Sequence, residues 1–322
     1  MFIYNTLENT TLEKLHQAFV AAFSDYQVKM DIPVSKLQNM LLRRGYVAGA
    51  SIGASMGTST SDVLVGFLLN GVRNWEGKLT AYDTGTAVIR DFRHQGITSS
   101  MFQQALKILD SLKVEQYLLE VIRTNTSAVQ LYKKLGFEVT REFDCFSMEK
   151  VSHKLKSDKF SLDKTGVDKF NLDTKMDMVG LDNIYLMEVS VDKIDNEMWK
   201  SLQYFWDFNP SWQNSIDSIN AVPNSFACYI AKSGSQIIGY GVLDKKTGDI
   251  PQIAVDKFYR RKGIGGSMLS YMMNGTEADK ISVLNVDSQC ESLKGFMLNE
   301  GFEPNVSQYE MLYPLDRHSA NN

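Results

Sequence analysis

Two short runs in this sequence have the composition to hold an anion largely on backbone amides: RHQGIT from Arg93 and RRKGIG from Arg260. Each follows a strand-like apolar run and opens an amphipathic, helix-like one. At a helix start the first N–H groups lack internal partners, and the helix dipole leaves about half a positive charge there. Glycine lets a pyrophosphate approach the chain closely. Arg93, His94, Gln95, Gly96, Ile97 and Thr98 therefore form one candidate phosphate loop. Arg260, Arg261, Lys262, Gly263, Ile264, Gly265 and Gly266 form a second, richer in cations. Ser100 and Ser267 add hydroxyls near the helix starts. Neither loop is a dinucleotide fingerprint, which would need glycine where Met268 stands, and no G-K-[ST] makes either a P-loop.

The elements around these loops repeat. Each loop is followed by a Gly-Phe pair, Gly136-Phe137 and Gly301-Phe302. Gly96 to Gly136 spans 40 positions and Gly263 to Gly301 spans 38, so the copies are offset by 167 and then 165 residues. In the first copy, 46–54 and 63–72 read as a hairpin, 78–90 as a longer strand and 116–122 as a buried strand. Residues 95–112 put Met101, Phe102, Ala105, Leu106 and Leu109 on one helical face, and 126–135 form a helix ended by Gly136. The second copy repeats this with strands at 226–232, 236–244, 250–256 and 281–287, and helices at 261–273 and 289–300. The aromatic stretch 204–212 reads as a helix end and loop, half packing; the alternative, functional reading is the wall of an acceptor site.

Strand, R-x-x-G-x-G, helix, strand and then Asn125, Ala128, Leu131, Tyr132, Gly136 and Phe137 spaced as N-x-x-A-x-x-L-Y-x-x-x-G-F resemble the GNAT N-acetyltransferase superfamily. The two motif pairs cover the coenzyme half of each copy. The whole chain resembles tandem bacterial members, with FSDY at 23–26 and PSWQNS at 210–215 as subgroup marks. The resemblance implies a mixed α/β fold, with a mixed sheet, in two tandem acyl-CoA N-acyltransferase domains. It implies that each loop takes the acetyl-CoA pyrophosphate on its amides. It also implies a bulged strand that parts from its neighbour to make a slot for pantetheine. An amide at Val88 or Val255 would polarise the thioester carbonyl, Asn125 would bond the pantetheine arm, and Tyr132 would protonate the departing thiolate. The copies depart differently from the pattern: Thr98 stands where the family prefers Gly or Ala, and Cys290 and Met297 replace the Asn and Tyr in the second copy.

Transfer of acetyl to an amine needs the neutral nucleophile. An alkyl ammonium of pKa about 10.4 leaves about one molecule in 10³ neutral at pH 7, a cost of roughly 4–5 kcal/mol. A base is therefore expected near the acceptor. Candidates are Asp83 and Glu120 in the first copy and Asp249 and Asp287 in the second, where Asn285 takes the place of Glu120.

The expected function is an acetyl-CoA-dependent N-acetyltransferase acting on a small amine by direct attack on the thioester. The alternative is an acetyl-CoA sensor or pseudoenzyme in which one or both copies bind without turnover. With 322 residues, the chain divides into an N-terminal domain over 1–149, a charged Lys- and Asp-rich linker over 150–183, a C-terminal domain over 184–316 and a tail over 317–322. A net charge of −4 advertises no basic surface for nucleic acid. Cys145, Cys228 and Cys290 form no metal spacing, and no metal is expected. The start of the chain lacks a basic and apolar leader, and the apolar run at 63–72 is far short of a membrane span. The expectation is a cytoplasmic protein, either a monomer with pseudo-dimeric halves or a homodimer.

Overall fold

The computed structural model describes residues 1–25, 32–57, 63–150 and 184–315, and the backbone of 176–179. The linker expected over 150–183 lies outside the described residues except for Lys150 and that backbone, as do Tyr26 of the FSDY run and the tail 317–322. Compactness divides the chain into two units: Met1–Arg141 with Tyr309–Asn322, and Glu142–Gln308.

In the first unit, strands β1 (Phe2–Thr6), β2 (Ile52–Met56), β3 (Val63–Trp75) and β4 (Lys78–Val88) run antiparallel in that order. Helix α3 (Ile97–Ser111) then crosses over to β5 (Gln116–Ile122), parallel to β4. Side chains alternate across β3. Phe67 and Leu69 pack on α1 (Leu12–Ala22) and α2 (Val34–Arg43) through Phe19, Leu37 and Leu41. Leu68 faces the other way, toward Met101, Phe102, Ala105 and Leu109 of α3. Helix α4 (Thr126–Lys134) follows β5 and leads to β6 (Glu138–Glu149). The hairpin expected from 46–54 is interrupted: 48–50 make a 3₁₀ turn, β2 pairs with β3 from Ile52 onward, and before the turn Tyr46 makes a single bridge to Gly71 of β3. Helices expected from 95 and 261 start later because Gly96 and Gly263 adopt left-handed N-cap conformations, with φ 75° and 82°.

Gly71 of β3 shows how tightly α2 closes on the sheet. A Cβ there would lie 2.1 Å from the Arg44 carbonyl oxygen. Gly71→Ala is expected to destabilise the protein by about 1–3 kcal/mol, measured as a lower thermal midpoint.

The second unit contains β7 (Met176–Val179), β8 (Ile184–Ser190), β9 (Phe226–Ser233), β10 (Gln236–Asp244) and β11 (Gln252–Val255), all antiparallel. Helices α5 (Asn196–Gln203) and α6 (Ile216–Asn220) cover one face through Trp199, Leu202 and Ile219. Helices α7 (Ile264–Asn274) and α8 (Glu291–Asn299) supply Leu269, Met272 and Met297 to a separate core. Strand β12 (Lys280–Asp287) meets the β11 side of the sheet only at one parallel bridge, Asp249 to Ser282.

The units divide the chain elsewhere than at residue 149. Glu142–Glu149 of β6 belongs to the second unit, where Phe146 lies opposite Val283 and Met148 opposite Ile281 on β12. The final strand β13 (Glu303–Pro314) changes unit at Tyr309, beyond which it lies beside β5. Met311 and Leu315 join the α3 core, and Leu315 N–H donates to the Glu115 carbonyl at 2.9 Å. Each unit thus includes a strand segment that follows the other copy in sequence.

Candidate active site

The two glycine-containing loops share one backbone. His94 and Arg261 hold φ 62° and 63°, and Gly96 and Gly263 follow in the same left-handed region. Alternation of this kind bends successive N–H groups into a concave, anion-accepting surface at a helix start. Ile97 and Ile264, directly after the glycines, are core residues that anchor α3 and α7, and as first helical residues their amides have no partner within the helix. His94, Gln95, Arg261 and Lys262 are exposed, and the Lys262 ammonium lies 5.0 Å from the Tyr259 ring centre.

Arg93 and Arg260 do not project from these loops; they brace them from behind. Arg93 Nε donates to Val88 O at 2.9 Å, and its terminal nitrogens bond Ala22 O and both oxygens of Asp25. Arg260 repeats the arrangement on Val255 O, Phe205 O and Asp207. Burial alone would raise the Asp207 carboxyl, but bonds from Arg260 and from Ser292, at 2.8 Å, outweigh it and the net direction is down. No spacing in the sequence ties these aspartates to their arginines. They stand 68 and 53 residues before their arginines, at offsets the internal repeat does not share.

Beside each loop two strands part. Strand β4 carries a bulge: Asn70 pairs with Asp83 and Leu69 with Gly85, leaving Thr84 extra. Pairing of β4 with β5 ends at Asp83 opposite Leu119, while both strands continue. The next amide past Val88, that of Ile89, bonds back to Val65 O, so by strand alternation the Val88 amide lies on the open edge. Val255 stands likewise, with Asp256 N–H bonded to Ile238 O.

At the head of the first gap, Asp83 is 9% exposed and accepts three hydrogen bonds. Gly85 N–H donates to Oδ1 at 2.9 Å; the Thr86 hydroxyl at 2.7 Å and the Tyr132 phenol at 3.1 Å donate to Oδ2. Burial raises the Asp83 carboxyl from its ordinary value despite these bonds. Glu120, half-buried on β5, bonds the Tyr82 hydroxyl. Arg44 at the end of α2 donates to Thr84 O at 2.8 Å and holds the bulge. The gap in the second unit opens into a cavity of about 560 Å³, running from Gly263 and Gly265 along β11 and β12 to Tyr240 and Asn214. Among the described residues no group of His, Cys, Asp or Glu is arranged to hold a metal.

A model described as the acetyltransferase (GNAT) family matches residues 13–137, and one described as the acetyltransferase (GNAT) domain matches residues 224–304. Together they span well over half of the chain. The chain belongs to the GNAT acetyltransferase family. Its fold is similar to that of a tandem GNAT protein from the clavulanic acid biosynthesis pathway, at 10% identity, 98% coverage of both chains and a TM-score of 0.67. A GCN5-related N-acetyltransferase from Sphaerobacter thermophilus is similar at 12% identity, covering 98% of this chain and 96% of that one, with a TM-score of 0.63. No curated protein matches the chain by sequence. The fold is the mixed α/β arrangement expected, in two GNAT domains.

The GNAT domains differ where chemistry would occur. Asn125 caps α4, its side-chain oxygen accepting from Ala128 N–H at 3.3 Å, whereas Cys290 begins α8 without a side-chain cap. Tyr132 reaches Asp83, whereas Met297 in its place is fully buried among apolar neighbours. Thr98 occupies the first turn of α3; its counterpart Gly265 gives room to the Phe296 ring, 3.1 Å from where a Cβ would stand, and Gly266 to Glu300. Asp287 is taken up locally by the Gln289 amide, and Asp249 begins the parallel bridge to β12. Asn285 sits at a bulge of β12 with φ 57°, bonded to Ser211 and Gln308.

The aromatic stretch at 204–212 is divided between core and cavity. Trp212 is fully buried, while Phe205, Trp206, Phe208 and Pro210 line the cavity. The inner wall is a neutral chain of bonds. Trp206 Nε1 donates to Tyr240, Tyr240 to Gln252 at 2.7 Å, and Gln252 to Asn214 O at 2.6 Å. The sequence offered no signal for this set, which joins residues from four separate segments. No helix among the described residues is long and apolar enough to cross a membrane.

Proposed function

We propose that the protein is an acetyl-CoA-dependent N-acetyltransferase of a small amine, with its chemistry in the first GNAT domain. The observation that carries this reading is the Tyr132 phenol bonded to the buried Asp83 carboxylate at the point where β4 and β5 part. A proton acceptor and a proton donor thus stand at the head of a slot, beside a phosphate-accepting loop. The amides of residues 94–98 would hold the coenzyme diphosphate, with Arg93 bracing the loop, and the Val88 amide would face the thioester carbonyl. Acetyl-CoA supplies an activated acyl group with a thiolate as leaving group, and a thiol of pKa about 8.5 departs readily. The larger demand on the protein is to take a proton from the amine.

The second GNAT domain supports a different role for that half. Its cavity adjoins the RRKGIGG loop, yet Met297 is core and the inner polar groups are neutral and bonded to one another. We read it as holding coenzyme without turnover. The test is thiol release from acetyl-CoA across a panel of amino sugars, polyamines, amino acids and peptides. Release that depends on the acceptor is expected; coenzyme binding without it would leave the sensor reading standing instead.

A further inference from the structure

We propose that Asp83 and Tyr132 work as one proton-carrying unit, in which the carboxylate receives through the phenol the proton that acetyl transfer takes from the amine and returns it by the same route to the coenzyme thiolate. This rests on the reading of the first GNAT domain as an acetyltransferase, and it assigns the two residues a joint role in place of separate acid and base roles.

The argument is geometric. The phenol donates to Asp83 Oδ2, so the proton of Tyr132 is directed at the carboxylate and is not available to a leaving group in this state. What the phenol oxygen has to offer a neighbour is a lone pair. Asp83 itself is 9% exposed and enclosed by Gly85, Thr86 and Tyr132, so a substrate reaches its charge through the tyrosine. A buried carboxylate whose affinity for a proton is raised is a better terminal acceptor than an ordinary one.

The step balances. The amine nitrogen forms the new C–N bond and loses a proton to the Tyr132 oxygen as the phenol proton passes to Asp83. The C–S bond breaks, its electron pair leaving on sulfur. Asp83 then returns its proton to the phenol, whose own proton goes to the thiolate. The unit ends as it began, and no proton need enter from solvent.

The charges around the pair are few. Arg44 at the end of α2 favours the ionised carboxylate, against burial. Glu120 on β5 is engaged with Tyr82 of β4, and Tyr117 of β5 donates to Asn70 of β3. Thr86 is the side chain besides Tyr132 that bonds Asp83 Oδ2 directly. Asp83 acts through Tyr132 and is a positioning and proton-storing group; it does not contact the substrate.

The test is kcat against pH for the full chain, using an amine that turns over, with Asp83→Asn, Tyr132→Phe and the double variant. Coenzyme affinity by calorimetry checks that each site is intact. The wild type is expected to lose activity on the acid side as Asp83 takes a proton. Each single variant should fall at least tenfold and lose that acid limb, and the double variant should be no slower than the slower single one. Multiplying losses, or an acid limb kept in Asp83→Asn, overturn the proposal while leaving the transferase reading intact. No acceptor-dependent release by the wild type overturns both. If Asp83→Asn does not fold, Thr86→Val supplies the test: removing a bond that favours the ionised carboxylate should move the acid limb to higher pH, and an unmoved limb overturns the proposal.

Discussion

Gly263→Asp is expected to weaken coenzyme A binding at the second GNAT domain by about a thousandfold. A carboxylate at that point meets the incoming diphosphate at the positive end of α7. At ~5 Å and an effective dielectric of ~20, repulsion is about 3 kcal/mol per unit charge. Against a diphosphate of more than one charge, partly screened by salt, a penalty near 4 kcal/mol corresponds to roughly three factors of ten in Kd. The strain of an L-residue at φ 82°, roughly 1–2 kcal/mol, is present with and without ligand and lowers stability instead. Titration calorimetry on the full chain would show one binding event lost. Gly96→Asp, with φ 75°, should do the same in the first domain and remove turnover with it. A Gly263→Asp isotherm identical to the wild type would sink the assignment of the second loop.

Arg260→Ala is expected to act first on the loop and only through it on the ligand. The guanidinium holds Val255 O, Phe205 O and both Asp207 oxygens, and all of these bonds are lost at once, while Asp207 keeps the bond from Ser292. Arg260 and Asp207 are about one quarter exposed, so water recovers part of the loss. A cost of about 3 kcal/mol is reasonable for a partly buried, charge-assisted set, equivalent to a fall in thermal midpoint of roughly 6–12 °C in a unit of this size. Arg260→Lys keeps the charge but not the planar fork and should recover only a minor share. A direct phosphate ligand behaves oppositely: its removal weakens binding and leaves the apo midpoint unchanged. The pH dependence follows the sign of the aspartate. Asp207 is lowered in the folded state, so this tie is present at neutral pH and above and is lost as pH falls through the depressed value.

The role of Arg260 is not encoded by its neighbours in the sequence. The R-x-x-G spacing located both loops, but an arginine beside a phosphate loop reads as a ligand when its other neighbours are unknown. Its carboxylate partner lies just past the end of a helix more than fifty residues earlier. The same holds for Tyr132 and Asp83. Both were identifiable as candidates, one as acid and one as base, yet their contact joins positions 49 residues apart and changes what each can do. Met297 could be recognised as a lost tyrosine by counting from Gly301, whereas the cavity wall of Tyr240, Gln252 and Asn214 could not be found by counting at all.

What the sequence determined by itself was everything governed by a few neighbouring residues. Glycines at 96 and 263 stop one element and start the next, periodic apolar residues set the α3 face, and the two copies declare themselves by spacing. These follow from local sterics and side-chain period, which act along the chain. Only the tertiary structure decided that Glu142–Glu149 pairs with β12 and that the chain beyond Tyr309 lies beside β5. Both strand ends are apolar enough to complete a sheet in either copy. The choice between them rests on register and packing across more than a hundred residues of intervening chain, and no local preference encodes it.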